Sequence, residues 1–344
     1  MGKTLEIRLP EEETLRIGSG ETLSELLPLL AEEKELFVIC DAAVDGFLCF
    51  DRNVKGFVSV EVSEETKTID TVLMLCRSMM EAGLTREGLV VALGGGILTD
   101  MAGFAASIYK RGVRYLNVPT TLLAQVDAGL GGKTGVNFDS YKNMLGVIRQ
   151  PQLTFLCPEV LRTLPERDFR SGAAELLKTF LLADATLYGK AVACLSAPER
   201  PDLGALIFEA ARIKAEIVAR DPFESGERRK LNLGHTFAHA IEHEAQSRGE
   251  DITHGEAVAM GLLLAARLSD ALGVSESPLA ERLSADMAAC GLRADCPYPM
   301  ASLAAAMTRD KKAGADGRVR FILLRRIGEA VEFPLDPDEL IDKL

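Results

Sequence analysis

The stretch Leu89-Val90-Val91-Ala92-Leu93-Gly94-Gly95-Gly96 decides the fold. Five apolar residues in a row, without polar alternation, read as a short strand buried on both faces. The glycine triplet that follows allows a tight turn and a close backbone approach to a ligand at a helix N-terminus. Outward from it, an apolar helical stretch runs from about Thr99 to Tyr109, and Tyr115-Leu116-Asn117-Val118-Pro119 reads as the next strand. Upstream, Leu36-Phe37-Val38-Ile39-Cys40 is closed by Asp41, and Gly56 to Val62 forms another strand. Between them and the glycines, Thr68 to Ala82 carries Ile69, Val72, Leu73, Leu75, Cys76 and Met79 at helical spacing and ends at Gly83. Strands alternating with helices predict a parallel α/β sheet.

Beyond about Pro158 the texture changes to segments rich in Ala, Leu, Glu and Arg at helical period: 172–184, 202–219, 231–247, 255–271, 278–290 and 301–309. The chain then closes with Val319 to Leu324, Gly328-Glu329 and Ala330 to Phe333, which predicts a β-hairpin. The expected organisation is an α/β, Rossmann-like domain over residues 1–158 and a mainly α-helical domain with a short C-terminal hairpin over 159–344.

The chain has 344 residues with 39 Lys plus Arg against 51 Asp plus Glu, a net charge of −12. Such a surface repels nucleic acid and anionic membranes, so any phosphate-bearing ligand must meet a local basic cluster. The seven cysteines are scattered and never spaced Cys-x-x-Cys, which suits reduced thiols and a cytoplasmic setting. No window approaches the ~18 apolar residues of a membrane helix, and the N-terminus lacks an apolar signal core.

Three segments carry chemistry. The glycine triplet departs from Gly-x-Gly-x-x-Gly, so by itself it reads more readily as a tight β–α turn than as a nucleotide site, and Asp100 could simply complement a helix dipole. In Pro119-Thr120-Thr121-Leu122-Leu123-Ala124-Gln125-Val126-Asp127, two hydroxyls leave a strand and a carboxylate follows. Lys133 sits after Gly131-Gly132 in a second glycine-rich loop that is not a Walker-type phosphate loop, and Asn143 adds a polar donor. All four histidines fall in one short region: His235, His239 and His243 recur at four-residue steps on one helix face, and His254 opens the next helix. That pattern points to a metal, with Glu175 as an oxygen ligand and Glu242, Glu244 and Glu256 as rivals; His243 reads as a surface residue. Arg228, Asn232 and His235, spaced four and three apart, are expected to share a side of that helix, with the run Arg228-Arg229-Lys230 otherwise a solvated face. Asp310-Lys311-Lys312 is either solvated or a phosphate anchor.

Taken in order, these segments resemble the 3-dehydroquinate synthase family of sugar phosphate cyclases. The resemblance rests on Gly94-Gly95-Gly96 with Asp100, Arg111-Gly112, the Pro119–Asp127 stretch, Gly131-Gly132-Lys133-Thr134, Lys142-Asn143, Ala174-Glu175-Leu176-Leu177-Lys178, Leu231-Asn232-Leu233-Gly234-His235-Thr236-Phe237 and His254-Gly255-Glu256. It is dense over residues 90–260. Ala238 stands where the family usually has Gly, and Ala128-Gly129 where it usually has Ser-Ser or similar.

The resemblance implies an NAD-binding α/β domain, a helical metal-binding domain, an active site in the cleft between them and a homodimer. It implies zinc or cobalt on Glu175, His235 and His254, and makes His239 a catalytic residue on the phosphate side rather than a ligand. NAD contacts would fall on Asp41, Glu64, Lys67, Gly95, Gly96, Asp100, Thr120, Thr121, Lys142 and Thr163. Substrate contacts would fall on Asp127, Lys133, Asn143, Lys178, Lys214, Arg228, Asn232 and one of Lys311 and Lys312. Arg111 matches an arginine that reaches a neighbouring subunit's site, and Glu224 a residue assigned as a proton acceptor. The implied substrate is a phosphorylated seven-carbon keto sugar acid, processed by transient oxidation, phosphate elimination, re-reduction, ring opening and aldol closure. The rivals are a cyclase whose sugar phosphate lacks the carboxylate, an NAD- and zinc-dependent polyol dehydrogenase, and a metal-stabilised regulatory domain.

Overall fold

The computed structural model describes residues 2–10, 13–47, 54–139, 141–224, 226–309 and 318–344. It contains two compact units, Met1–Pro165 with Ile207–Pro222, and Glu166–Leu206 with Phe223–Leu344. The sequence suggests one cut near residue 158; the structure instead returns a helical segment to the first unit. Lys214 Nζ donates there to the Asp127 carbonyl at 2.7 Å, and Lys3 lies over the Phe208 ring.

The first unit holds β1 (Thr4–Arg8), β2 (Thr14–Ser19), β3 (Leu36–Asp41), β4 (Val54–Val60), β5 (Leu89–Gly94), β6 (Arg114–Pro119), a separate hairpin of β7 (Lys133–Phe138) and β8 (Tyr141–Ile148), and β9 (Leu153–Leu156). Seven of these form one sheet in the order β1-β2-β9-β6-β5-β3-β4. Only β1 and β2 pair antiparallel; every other neighbouring pair is parallel. Successive side chains of β3 point to opposite faces: Phe37 and Ile39 enter a core with α1 (Ile69–Glu81) and α2 (Gly96–Ile108). Val38 and Cys40 enter another with Leu23, Leu26 and Leu30. Covering both faces is what makes the central strands continuous apolar runs. Helix α1 starts at Thr68, whose side chain accepts from Thr71 N, and closes before Gly83 at φ +67°.

Two local expectations change. Helix α2 begins at Gly96 rather than near Thr99, so the glycine triplet is itself the helix N-terminus, and Asp100 sits a full turn inside. Lys133 is the first residue of a strand, and residues 133–148 form a hairpin that the glycine-rich sequence did not announce.

The remaining elements are α3 (Glu166–Ala183), α4 (Ala185–Ser196), α5 (Leu203–Arg220), α6 (His235–Ser247), α7 (His254–Ala271), α8 (Ala280–Ala289), α9 (Met300–Arg309), and the terminal hairpin β10 (Val319–Arg326) and β11 (Glu329–Leu335). Helix α5 contributes most of its length to the first unit. Helices α3 and α7 are buried along almost their whole length, and each enclosed Leu contributes roughly 1.5–3 kcal/mol. They form the platform on which the histidines sit. No helix among the described residues is long and apolar enough to cross a membrane.

Candidate functional site

In the second unit, Glu175 lies mid-way along α3 with no exposed surface, an expensive place for a carboxylate unless it is paired. One turn on, Lys178 is 1% exposed and brings Nζ to 2.6 Å from Glu175 Oε2. The other oxygen, Oε1, faces His235 Nε2 at 3.4 Å and His254 Nε2 at 3.2 Å. Burial pushes the Glu175 pKa up, but Lys178 and the two imidazoles outweigh it and hold the carboxyl well below its usual value.

Close helix packing brings these three side chains together. Gly255, beside His254 in the first turn of α7, sits so near α3 that a Cβ there would lie 2.1 Å from the Ser171 carbonyl oxygen. Its N–H donates to Ser171 Oγ at 3.0 Å. Gly234, at φ +78°, turns the chain into α6, and Gly261 of α7 packs against it. A Cβ at Gly261 would also lie 3.1 Å from the backbone nitrogen of the buried Ala238. Thr253 and Glu256 form a capping box at the start of α7, which aims His254 back toward α3.

Glu175, His235 and His254 offer donor atoms within 4.8 Å of one another, and among the described residues no other group of three or more does so. The arrangement passes a chemical test for a divalent ion. One carboxylate and two imidazoles converge from separate elements, each imidazole through Nε2. The outer Nδ1 atoms meet acceptors, Leu233 O at 3.2 Å for His235 and Glu242 Oε1 at 3.3 Å for His254. Glu175 Oε2 meets Lys178 without an aligned hydrogen bond. A buried N,N,O set with room for further ligands suits zinc or cobalt. Burial alone would lower the His254 pKa, yet its two carboxylate partners push it up to about 10, so metal uptake competes with a proton there.

The geometry separates the rival ligands. Glu256 is held by the Thr253 N–H and by Arg167, and Glu244 by Arg248. Glu242 stands behind His254 rather than in the triad. His239 is half-buried with its ring 5.8 Å from that of His235, outside the triad.

A cavity of about 800 Å³ opens on this unit, lined by Glu224, Asn232, His235 and His239, and by Arg229, His243, Met307, Arg320 and Glu332. Glu224 Oε1 accepts from Asn232 Nδ2 at 2.8 Å, with Glu224 at a left-handed φ of +59°. Arg228 and Asn232 do not share a helix face with His235. Residues Glu227–Asn232 form a separate 3-10 turn, and the break at Gly234 resets the direction before α6 begins. Arg228 is buried, while its neighbour Arg229 lines the cavity. His243, expected on the surface, is exposed and also lines the cavity rim, as its spacing from His239 permits. Arg320 and Glu332 were missed because they come from the terminal hairpin, far away in the chain, and Arg229, read as part of a solvated run, lines the cavity instead. Lys311 and Lys312 lie outside the described residues.

In the first unit, the chain switches direction between β3 and β5: β4 lies on one side of β3, and β5 and β6 on the other. Such a switch point opens a crevice at the strands' carboxyl ends, where dinucleotides bind in parallel sheets. Asp41 ends β3 beside Gly94, and Gly95 and Gly96 begin α2 without a side-chain cap. Thr120 N–H donates to the Gly94 carbonyl at 3.0 Å, and Thr121 packs on Gly95. Burial raises the Asp41 pKa, partly offset by the Ala43 N–H.

Nearby, Lys67 Nζ donates to Asp100 Oδ2 and to Asn143 Oδ1, both at 2.6 Å. Burial pushes the Asp100 carboxyl up to about 6 against the pull of Lys67. Asn137, which sequence reasoning missed, donates to Glu64 Oε2 at 2.9 Å and accepts the Asn143 N–H. Asp127 sits in a π-helical turn, Ala124–Ala128, closed by Gly129 N–H to Ala124 O at 2.9 Å, and its carboxylate pairs with Lys214. A side chain at 129 would press on the Ala124 carbonyl at 2.7 Å, which explains glycine there. Lys133, Lys142, Thr163 and Arg111 are exposed, Arg111 at φ +65°. Among the described residues, Lys142, Thr163 and Arg111 make no side-chain hydrogen bond to the residues above.

Comparison with known proteins agrees with this geometry. Residues 57–171 match the family description "3-dehydroquinate synthase N-terminal", and residues 172–313 match "3-dehydroquinate synthase C-terminal". The chain is similar to the 3-dehydroquinate synthase of Acidithiobacillus ferrooxidans, 45% identical over 80% of this chain and 76% of that one. It is similar to that of Cereibacter sphaeroides at 40% identity over 92% and 90%. Among solved structures, 2-epi-5-epi-valiolone synthase from Streptomyces hygroscopicus subsp. jinggangensis, with NAD+ and Zn2+ bound, superposes with a TM-score of 0.85 at 29% identity over 96% of each chain. A 2-deoxy-scyllo-inosose synthase complexed with carbaglucose-6-phosphate, NAD+ and Co2+ shares the fold with a TM-score of 0.82 at 24% identity, over 99% of this chain and 100% of that one. The matched residues take in both the glycine triplet and the Glu175–His235–His254 triad, and the chain belongs to the 3-dehydroquinate synthase family.

Proposed function

We propose that this chain is a 3-dehydroquinate synthase, a carbon–oxygen lyase acting on a phosphate. It converts 3-deoxy-D-arabino-heptulosonate 7-phosphate to 3-dehydroquinate and phosphate, the second step of the shikimate route to aromatic amino acids. The observation that carries this reading is the Glu175–His235–His254 triad, whose His235 also lines a cavity with Asn232, His239 and Glu224, in a chain of this family.

When bound, NAD supplies a reversible hydride acceptor, and a divalent ion on the triad supplies a Lewis acid that lowers the cost of negative charge on a hydroxyl oxygen. The protein's own groups do the positioning and the proton transfers. Lys178 keeps Glu175 ionised, and so keeps the triad ready for its ion. His239 holds or passes a proton at the substrate's phosphate side. Glu224, oriented by Asn232, accepts a proton shed by the substrate. The Asp127–Lys214 pair, with Arg228, Lys133 and Asn143, supplies hydroxyl, carboxylate and phosphate contacts, and one of Lys311 and Lys312 adds a phosphate anchor. Asp41, Glu64, Lys67, Gly95, Gly96, Asp100, Thr120, Thr121, Lys142 and Thr163 serve NAD, supported by the switch point at β3 and β5. On this reading, residues 1–158 carry most of the nucleotide contacts, and 159–344 the metal and most of the substrate contacts. The enzyme works in the cytoplasm as a homodimer completed by Arg111.

The retained cations Lys214 and Arg228 favour a substrate with a carboxylate over the carboxylate-free sugar phosphates of other cyclases. Purified protein with NAD, Zn2+ or Co2+ and the heptulosonate phosphate should release phosphate without accumulating NADH. Stoichiometric NADH would assign a dehydrogenase instead, and turnover only with a heptulose phosphate lacking the carboxylate would assign a different cyclase.

A further inference from the structure

Helix α6 presents more than one functional side chain along a single face. His235 and Glu242 stand seven residues, two turns, apart and therefore point the same way. His235 reaches Glu175 directly, while Glu242 reaches the back of His254 at the start of α7, with Oε1 3.3 Å from Nδ1. The same imidazole turns its Nε2 to Glu175 at 3.2 Å.

We infer that Glu242 is a positioning residue for the metal centre: it orients the His254 ring, sets its tautomer and raises the affinity of the Glu175–His235–His254 triad for a divalent cation. The inference rests on the triad being the metal site, as proposed above. An imidazole at a helix start can rotate and present either nitrogen. A carboxylate behind Nδ1 accepts the proton on that nitrogen, which makes Nε2, facing Glu175, the nitrogen that would bind an ion in exchange for its own proton. The negative charge also makes the imidazole a stronger donor, as outer carboxylates do at metal-bound histidines. Among the described residues, His235 Nδ1 meets the neutral Leu233 carbonyl at 3.2 Å, which adds no such charge. The two histidines are thus unequal: backbone geometry holds His235, while a charged side chain from another helix holds His254.

The test is the affinity of chelator-stripped protein for Zn2+, measured by competition with a chromophoric chelator, with the visible spectrum of the Co2+ form as a second readout. Glu242→Gln keeps an acceptor and loses the charge, and should bind zinc about 10-fold more weakly; Glu242→Ala loses both and should approach about 100-fold. The Co2+ absorption of both variants should shift, while apo Glu242→Gln should still unfold in one cooperative transition, at a midpoint lowered only by the loss of the Glu242–His254 pair. Zinc affinity within twofold of the parent in both variants, with His254→Ala unable to hold the ion, overturns the inference and leaves the triad standing. A His254→Ala protein with parental affinity overturns the triad assignment and the inference with it.

Discussion

Replacing Lys178 by Met tests how the buried triad is stabilised before its ion arrives. Lys178 Nζ lies 2.6 Å from Glu175 Oε2, and neither residue has more than 1% of its surface exposed. At an effective dielectric of about 20, Coulomb's law gives roughly 6 kcal/mol of gross attraction at that separation, from which the desolvation of both charges must be subtracted. Removing Lys178 leaves the buried Glu175 carboxylate with only the His235 and His254 imidazoles to offset its charge, which costs up to about 3–5 kcal/mol. In a unit of this size each kcal/mol moves the midpoint by roughly 2–4 °C, so chelator-treated Lys178→Met should melt roughly 6–20 °C below the parent. A divalent ion on the triad would replace the missing positive charge. Saturating Zn2+ should therefore raise the variant's midpoint by more than it raises the parent's. Neutralising the carboxylate as well, in Glu175→Gln/Lys178→Met, should recover part of the loss in the absence of metal, because the orphaned charge is gone. Scanning calorimetry of all three proteins with and without zinc makes the comparison. A metal-free Lys178→Met protein melting within about 2 °C of the parent would refute the assignment of Lys178 as the counter-charge.

Other expectations bear on the same sites. His235→Ala should lose bound metal while His239→Ala keeps it, measured as metal per chain by plasma mass spectrometry; equal retention would remove His235 from the ligand set. Burial pushes the Asp100 carboxyl up to about 6 from its ordinary 3.8, so the folded protein holds more protons than the unfolded chain between those values. Its contribution to stability is thus present below about pH 4 and falls as pH rises toward 6; denaturant midpoints from pH 4 to 7 should show that decline in the parent and a flatter profile in Asp100→Asn. Gly255→Ala places a methyl against the Ser171 backbone and should cost at least about 1–3 kcal/mol by overpacking, together with weaker metal binding. A variant matching the parent in both stability and metal content would contradict the close α3–α7 contact.

What the sequence determined by itself follows from burial. Residues 36–41 and 89–94 announce themselves as strands because both faces of the sheet are covered, and a strand with no wet face must be apolar throughout. Thr68 and Gly83 bracket α1 because the ends of a helix need a side-chain acceptor at one end and a left-handed residue at the other. The histidine spacing on α6 was equally legible as a helix face. The hairpin of residues 133–148 was not, since its strands are rich in glycine, lysine and asparagine, and β8 is mostly exposed.

Spacing also allowed His235 to be grouped with His239, and allowed Glu242, Glu244 or Glu256 as the oxygen ligand. The family resemblance pointed to Glu175, His235 and His254, and only the tertiary structure brings those three donor groups together. A metal needs donors from several directions, and the chain can supply those only by crossing helices. Gly255 lets α7 approach α3 so that His254 meets Glu175, and the fold leaves Glu256 to Arg167, Glu244 to Arg248 and Glu242 to the far side of His254. Helical periodicity orders side chains along one helix, whereas coordination is settled by the distance between helices, which no single helix's sequence encodes.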